Sequence, residues 1–336
     1  TYLSTNIGML LAIATVAVFF IPAFYKHNCT TVYDLLEVRF GHGAKRASSW
    51  AFMIGRVFAS GSRLYMAGIP LSLILFRDIE PTHLLIAIAA LTAVGILYTL
   101  AGGIRSIIWT DVIQFIVFVG AALAALVMLV QRIPVPMGEV YEALAATRVG
   151  ADSKLTVVTP GFDFGAANFG FDPTQSYTLL TAILGFSLLG IASYGTDHDL
   201  AQRMLTCRSA FKGSSSAVIA IVLNLPVALL FTGLGLLLFV FYQRPDLMGA
   251  ASPTLAPDGS RQVFLAFILN EMPPGMTGLM MAGLFAAGLG SFNSALNAMG
   301  AAFINDVYQP MFKGKSETHY LSMGRWAVVA WGVILG

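Results

Sequence analysis

The residues of this sequence that most need a chemical explanation are ionisable groups inside long apolar stretches. Asp111 lies about two helical turns inside one such stretch, and Arg56 and Arg63 lie seven residues apart in another. A spacing of seven places both arginines on one helix face. An ionisable group at that depth in lipid is costly unless it is paired or hydrated, so each is a functional candidate. The alternative is a structural ion pair for either arginine, or a reach of Arg56 towards the membrane surface.

A second set of candidates is the concentration of oxygen-bearing side chains in the apolar run that follows Thr277. Small residues recur there at every fourth position, which close packing of helices explains by itself. Packing does not require the hydroxyl and amide groups of Ser291, Asn293, Ser294 and Asn297. Hydroxyl, amide and carbonyl oxygens suit a hard cation. The run therefore predicts a monovalent cation site on this helix.

The adjacent Asp197, His198 and Asp199 look like a metal-binding run, but pairing of the acids with Arg203 or Arg208 explains them better. The other histidines are scattered in loops and make no ligand set. The sequence has no nucleophile motif and no phosphate-binding glycine loop. We therefore predict no enzyme activity, no ATP-driven mechanism, no organic cofactor and no metal beyond the monovalent cation.

Composition indicates that membrane-spanning helices hold these groups. Of the 336 residues, 57% are hydrophobic and 11% are charged, whereas soluble domains average about 45–50% and 25%. The net charge of +2 is too small to suggest nucleic acid. Two cysteines, Cys29 and Cys207, do not make a disulfide framework. The composition predicts an all-α polytopic membrane protein.

Eight apolar stretches follow one another along the chain, and each but the last is long enough to cross about 30 Å of hydrocarbon. They lie at roughly 6–24, 49–76, 84–101, 105–130, 178–195, 215–242, 276–304 and 324–336. Because the last has only about 13 residues, we expect a chain truncated inside a membrane helix. We predict a single transmembrane domain over 1–336, with extracellular loops at 131–177 and 243–275. Amphipathic stretches at Met137–Thr147 and Arg261–Met272 predict a short helix in each loop.

The distribution of basic residues predicts the orientation. Eleven of the 19 lysines and arginines fall on the side that holds the loop after the first stretch, and six fall on the other side. The first side is therefore predicted to be cytoplasmic, with both cysteines there as free thiols. The expected location is the plasma (inner) membrane, crossed several times.

Four stretches resemble the sodium/solute symporter family, which includes sodium/glucose, proline, pantothenate and sialic acid transporters. They are TTVYDLLEVRFG at Thr30–Gly41, AGGIRSIIWTDVIQ at Ala101–Gln114, YGTDHDLAQRMLTCRS at Tyr194–Ser209 and GLMMAGLFAAGLGSFNSALNAMGAAFINDVY at Gly278–Tyr308. They occur in family order with family-like spacing. The resemblance implies the LeuT-type five-plus-five inverted-repeat fold, here incomplete at both ends because the first and last core helices are absent. It also implies sodium-coupled symport of a small organic solute across the lipid bilayer.

The resemblance further implies a sodium site on the eighth core helix. Ala287 matches a carbonyl ligand of the family's common site and Ser291 a hydroxyl ligand, whereas Gly290 stands where a second hydroxyl, usually that of Ser, is expected. Some members resemble a second arrangement with further polar groups. For that arrangement this chain offers Asn293, Ser294 and Asp111. A carboxylate there would bind a monovalent cation strongly or carry a proton, so proton-coupled symport stays open beside sodium coupling.

The substrate positions depart from those of sugar carriers. Where those carriers have an acid and a hydroxyl on the second core helix, this chain has Asn6 and Met9. A lysine on the seventh is replaced by Asn224, and the aromatic gate on the sixth by Ser193. Asn224 has an alternative role, because a proline two residues later frees carbonyls that its amide can satisfy. With Arg63 near the midplane, where family substrates bind, a solute that bears a carboxylate is the preferred class.

Other functional classes stay open. A non-transporting membrane sensor that kept the symporter fold is one alternative, because some relatives carry signalling domains beyond the core. A membrane-embedded enzyme would need more than Asp111 and two arginines at depth. The predicted partners are a small-molecule solute and the lipid bilayer, with no nucleic acid, and the sequence gives no indication of the oligomeric state.

Overall fold

A computed structural model describes residues 2–149, 152–159, 162–163, 170–171, 177–249 and 263–336. Regular structure in those ranges is helical apart from four strands of two residues each. β1 (Arg148–Val149) pairs antiparallel with β2 (Asp152–Ser153), and β3 (Phe162–Asp163) pairs antiparallel with β4 (Gly170–Phe171).

The helices of the described ranges follow one short 3-10 turn at Tyr2–Ser4. They are α1 (Thr5–Lys26), α2 (Asp34–Phe40), α3 (His42–Phe76), α4 (Pro81–Ile104), α5 (Ile107–Arg132), α6 (Met137–Ala146), α7 (Leu179–Gly195), α8 (His198–Leu205), α9 (Ala210–Gln243), α10 (Pro245–Met248), α11 (Val263–Glu271), α12 (Pro274–Met311) and α13 (Glu317–Leu335).

Six of these described helices are long and apolar enough to cross a membrane, namely α1, α3, α4, α5, α9 and α12. A seventh span results if α7 and α8, which are bent by 60° at their junction, count as one. These spans correspond to the seven longer stretches predicted from the sequence. The eighth stretch belongs to α13, which begins at Glu317 and has 19 residues. The stretch 324–336 covers only the later part of α13, because the polar Glu317 and His319 interrupt the apolar pattern in its first turns.

Several spans are interrupted. The kink between α4 and α5 is at Gly103, next to the last residue of α4, where φ is +57° and ψ is −173°; this backbone conformation is open to glycine and cannot continue a helix. Wider π-helical turns occur at Val16–Phe20 in α1, Ala182–Phe186 in α7 and Phe303–Tyr308 in α12. Such turns leave the regular helical hydrogen-bond pattern and are frequent at functional sites.

The chain forms two compact units. The first comprises Thr1–Val18, Val119–Tyr194 and Ser215–Thr277, and the second comprises Phe19–Phe118, Gly195–Ser214 and Gly278–Gly336. The single transmembrane domain over 1–336 and the extracellular placing of 131–177 and 243–275 stay predictions. The two amphipathic stretches are confirmed as helices, α6 and α11, although residues 261 and 262 of the second stretch lie outside the described residues.

Within the first unit, α1 and α7 pack through glycines. A Cβ added to Gly8 would lie 2.0 Å from the carbonyl oxygen of Ala182, and one added to Gly190 would lie 2.5 Å from the Cβ of Ala12. Backbone therefore meets backbone at this crossing, and there is no room for any side chain larger than hydrogen.

Within the second unit, the small residues of α12 play the packing role predicted for them. A Cβ added to Gly283 would lie 3.2 Å from the Cα of Phe118 on α5, and one added to Gly288 would lie 2.5 Å from the Cβ of Ala67 on α3. The larger residues of α12 build the core beside them, and Phe292 is 2% exposed. Close approach on this face of α12 brings its polar residues up to α5 and α3.

Candidate functional site

A cavity of about 280 Å³ lies in the second unit between α5, α8 and α12. Its lining residues are Asp111, Gln114, Phe115 and Phe118 from α5, Arg203 from α8, and Ala287, Gly290 and Ser291 from α12. Three of the sequence-predicted ion ligands, Asp111, Ala287 and Ser291, are thus brought together, with Gly290 among them. The cavity has room for several water molecules.

Arg203 occupies one side of the Asp111 carboxylate. Nη2 of Arg203 lies 3.0 Å from Oδ2 of Asp111, and the same nitrogen donates a hydrogen bond of 2.8 Å to Oγ of Ser294. The other carboxylate oxygen, Oδ1, is directed towards Gly290. The guanidinium of Arg203 therefore contacts Oδ2 of Asp111, whereas Oδ1 faces the cavity.

The Asp111–Arg203 pair continues into a buried charge network. The hydroxyl of Ser294 donates to Oδ1 of Asp199, and Oδ2 of Asp199 lies 3.3 Å from Nη1 of Arg56. Nη2 of Arg56 donates to both carboxylate oxygens of Asp197, which also accepts the backbone N–H of Asp199 at 2.9 Å and so caps α8. The structural ion pair considered for Arg56 is thus present. From the sequence, the acids of the Asp197–Asp199 run were predicted to pair with Arg203 or Arg208. In the structure, Asp197 and Asp199 both pair with Arg56.

The network carries an excess of negative charge. It joins three carboxylates, on Asp111, Asp197 and Asp199, to two guanidinium groups, on Arg56 and Arg203. The side chains of Arg56 and Asp199 are 5% and 6% exposed. Isolated charges are costly in such surroundings, and the formal excess of one negative charge within the network faces the guanidinium of Arg63, which is hydrogen-bonded to Ser291 of the same cavity lining.

Arg63 lies two helical turns after Arg56 and has different surroundings. Its Nη1 donates a hydrogen bond of 2.9 Å to Oγ of Ser291, and its side chain is exposed. No ion pair joins Arg63 to Asp111 or to another acid among the described residues, so the structural pairing considered from the sequence is not formed there. Its charge remains available to an anion.

Two further predicted ligands have other contacts. Ser294 shares its hydroxyl between Arg203 and Asp199. Asn293 is 3% exposed and faces α4, where a Cβ added to Gly95 would lie 2.9 Å from its Oδ1. The structure therefore does not bring Asn293 to the cavity that Ser291 lines, and its role as an ion ligand stays a prediction.

The predicted substrate positions other than Arg63 belong to the first unit. Nδ2 of Asn224 donates a hydrogen bond of 3.3 Å to Oδ1 of Asn6. The alternative considered from the sequence was a hydrogen bond from Asn224 to backbone carbonyls of its own helix. The thioether of Met9 lies beside Gly190 on α7, and Ser193 follows one turn later on the same helix. Asn6, Met9, Ser193 and Asn224 are thus distributed over α1, α7 and α9 of one unit.

The second unit contains another charge cluster, which the sequence did not suggest. Asp306 is fully buried and accepts hydrogen bonds from Thr31 and Ser49 at 2.8 and 2.7 Å. Nζ of Lys45 lies 2.5 Å from Asp34, 2.8 Å from Glu37 and 3.5 Å from Asp306. This cluster ties α2 to α3 and α12.

The histidine of the Asp197–Asp199 run is enclosed by aromatic rings. His198 is 1% exposed and packs between the rings of Tyr33 and Phe52. In the described ranges, no three His, Cys, Asp or Glu side chains are placed to hold a metal ion.

The thiol of Cys29 lies in the connection after α1. Burial and the neighbouring Asp34 raise its pKa to about 11.

Six long apolar helices are typical of an integral, multi-pass membrane protein. The model of the sodium:solute symporter family matches residues 2–335. The chain belongs to this family, which confirms the resemblance found in the four motifs.

Relatives with curated functions are transporters. The chain is 29% identical over 332 residues to the sodium/sialic acid symporter NanT of Aliivibrio fischeri, a match that covers 98% of the chain and 61% of NanT. It is 27% identical to the human sodium/iodide cotransporter, over 91% of the chain and 44% of that protein. It is also 26% identical to the human sodium-coupled monocarboxylate transporter 1, over 94% and 48%. The chain thus spans about three fifths or less of the length of these relatives.

A solved structure shares the fold. It is a Na+-coupled sialic acid symporter in a substrate-bound outward-open state, described as revealing a novel Na+ site. The TM-score is 0.78 at 27% sequence identity, and the match covers 99% of this chain and 65% of that chain. The predicted all-α, LeuT-type membrane fold is confirmed by this likeness.

Proposed function

We propose that the full-length protein is a secondary active transporter that couples sodium entry to the uptake of a small organic solute. The observation that carries the proposal is the cavity in which the carboxylate of Asp111 meets Ala287 and Ser291. Carboxylate, hydroxyl and backbone carbonyl oxygens are the hard ligands that an alkali cation prefers. The sodium coupling of the relatives supports this choice.

The proposed solute carries a carboxylate. The guanidinium of Arg63 is exposed, has no acidic partner among the described residues and is hydrogen-bonded to Ser291 of the same cavity lining. A planar guanidinium holds a carboxylate through two parallel hydrogen bonds. Sialic acid and monocarboxylates, the cargo named for several relatives, bear that group. The protein is assigned to the plasma (inner) membrane in the orientation predicted from its basic residues.

Reconstitution in liposomes tests the coupling. The full-length protein is given radiolabelled sialic acid, lactate or galactose under an inward sodium gradient, an inward proton gradient or neither. We expect concentrative uptake of an acidic probe with sodium only. Uptake that follows the proton gradient alone would replace sodium by a proton on Asp111. Binding of a probe without uptake under any gradient would favour the sensor.

Two variants test the assigned residues. Asp111→Asn keeps the size of the side chain but removes its charge, so we expect the apparent affinity for sodium to fall about tenfold or more. Asp246→Asn is the matched control, because Asp246 is exposed and pairs with Arg244 in a loop. Arg63→Lys removes the bidentate geometry and should weaken apparent solute affinity about tenfold, or about 1.4 kcal/mol. A folded Arg63→Ala variant with normal transport would remove Arg63 from the solute site.

A further inference from the structure

Two oxygen atoms converge on Gly290 in the cavity of the second unit. A Cβ at this residue would lie 2.6 Å from Oε1 of Gln114 and 2.9 Å from Oδ1 of Asp111. Both oxygens therefore lie within 3 Å of one point, which is open only because residue 290 has no side chain. Asp111 and Gln114 are three residues apart on α5, so they share the helix face that meets α12.

The two converging atoms are both acceptors. An ionised carboxylate and an amide carbonyl oxygen accept hydrogen bonds and donate none, so they cannot stabilise each other. Arg203 is engaged with the other carboxylate oxygen and with Ser294. Within the part of the chain that the structure describes, no donor is bonded to Oε1 of Gln114. Two acceptors directed at one point require between them either a cation or a molecule that donates two hydrogen bonds, such as water.

We propose that Gln114 is a ligand of the transported cation, and that its amide oxygen and Oδ1 of Asp111 together hold sodium over Gly290. This inference rests on the proposed sodium coupling and adds a residue to the ion site. Ca2+, a hard cation of nearly the same radius, keeps its oxygen ligands at about 2.3–2.6 Å, a distance compatible with this convergence. Ser291 lines the same cavity and offers a third oxygen. The hydroxyl that residue 290 lacks is thereby replaced by an amide oxygen from the facing helix.

The assignment is tested by moving the oxygen ligand from Gln114 on α5 to residue 290 on α12. Sodium binding to the purified full-length protein is measured as the rise of its thermal unfolding temperature with sodium, at constant ionic strength with choline. Gln114→Ala should weaken sodium binding about tenfold. Gly290→Ser should weaken it as well, because the new Cβ displaces Oε1 of Gln114. In the double variant the serine hydroxyl has the space that the glutamine left, so we expect affinity within about threefold of the wild type.

Two further variants separate a ligand from a merely structural residue. Gln114→Glu keeps an acceptor oxygen at the same reach and should bind sodium at least as well as the wild type. If the Gln114 amide instead donated to Asp111, glutamate would repel that acid and binding would be lost. Gly278→Ser is the matched control on α12, because a Cβ there meets nothing within 4 Å, and it should leave sodium affinity unchanged.

The outcomes are distinct. A folded Gln114→Ala variant with wild-type sodium affinity, or a double variant no better than the two single losses combined, overturns the Gln114 assignment while sodium coupling stands. A wild-type protein that is not stabilised by sodium overturns the coupling and the assignment with it. If Gln114→Ala does not fold, loss of sodium binding in folded Gln114→Glu is sufficient to reject the assignment.

Discussion

Replacement of Arg56 by methionine tests whether the buried charge network stabilises the fold. The side chains of Arg56 and Asp199 are 5% and 6% exposed, whereas that of Asp197 is 29% exposed. Removal of one partner from a buried pair costs about 3–5 kcal/mol, because the remaining charge is left uncompensated. Since Asp197 is partly hydrated, we take the lower end and expect Arg56→Met to reduce the free energy of unfolding by about 3 kcal/mol.

The matched control lies on the same helix. Arg63→Met removes an exposed guanidinium with one hydrogen bond to Ser291, so it should cost about 1 kcal/mol or less. Unfolding of the purified protein in mixed micelles is followed by circular dichroism as SDS is titrated. The double variant Arg56→Met/Asp199→Asn should recover at least about 1 kcal/mol, because one buried carboxylate is then neutral. An Arg56→Met variant as stable as Arg63→Met would refute a stabilising network.

Three further predictions concern single positions. Gly103→Ala should destabilise the protein by about 1–3 kcal/mol in a thermal unfolding assay, because alanine is strained at φ +57°. In the control Gly120→Ala the new Cβ lies in open space, so the same assay should show a neutral or slightly stabilising effect. Gly8→Ala should lower the folded yield several-fold, because its Cβ would meet backbone at 2.0 Å, while Gly185→Ala, with nothing within 4 Å, should keep a normal yield by size-exclusion chromatography. Because the pKa of Cys29 is raised to about 11, its maleimide labelling in a single-cysteine variant should be slow at pH 7.5 and rise about tenfold per pH unit to pH 10; a rate independent of pH would contradict this.

Much of the fold was predictable because a helix that crosses a lipid bilayer must be predominantly apolar over the thickness of the hydrocarbon. Apolar length alone located the spans α1, α3, α4, α5, α9 and α12. The 60° bend between α7 and α8 was not predicted, because it depends on where Asp197 caps a new helix. The first turns of α13 lie outside the stretch 324–336 because polar residues there interrupt the apolar pattern.

The candidate site was predictable where the signal was chemical and local. An acid inside an apolar stretch and hydroxyls on a small-residue helix identified Asp111 and Ser291, and the structure places both on one cavity. Partners across the fold were not predictable, because Arg203 reaches Asp111 from 92 residues away and no periodicity links them. The spacing of three between Asp111 and Gln114 was visible in the sequence and is the signal that would have identified Gln114.

The separation in sequence between Arg56 and its acidic partners affects the order in which the helices reach their final positions during synthesis. Arg56 and Asp197 are 141 residues apart, so at about 5–20 residues per second the arginine precedes its acids by roughly 7–28 s. During that interval α3 must remain in or near the bilayer with its positive charge uncompensated. The apolar 18-residue window of α3 has a mean hydropathy of 1.2, just below the 1.4 of α12, whereas the other four apolar spans have 2.4–2.7. Commitment of α3 to its final depth is therefore expected to wait for the synthesis of α8, so that α3 settles only after α4 and α5, which follow it in the chain, have been made.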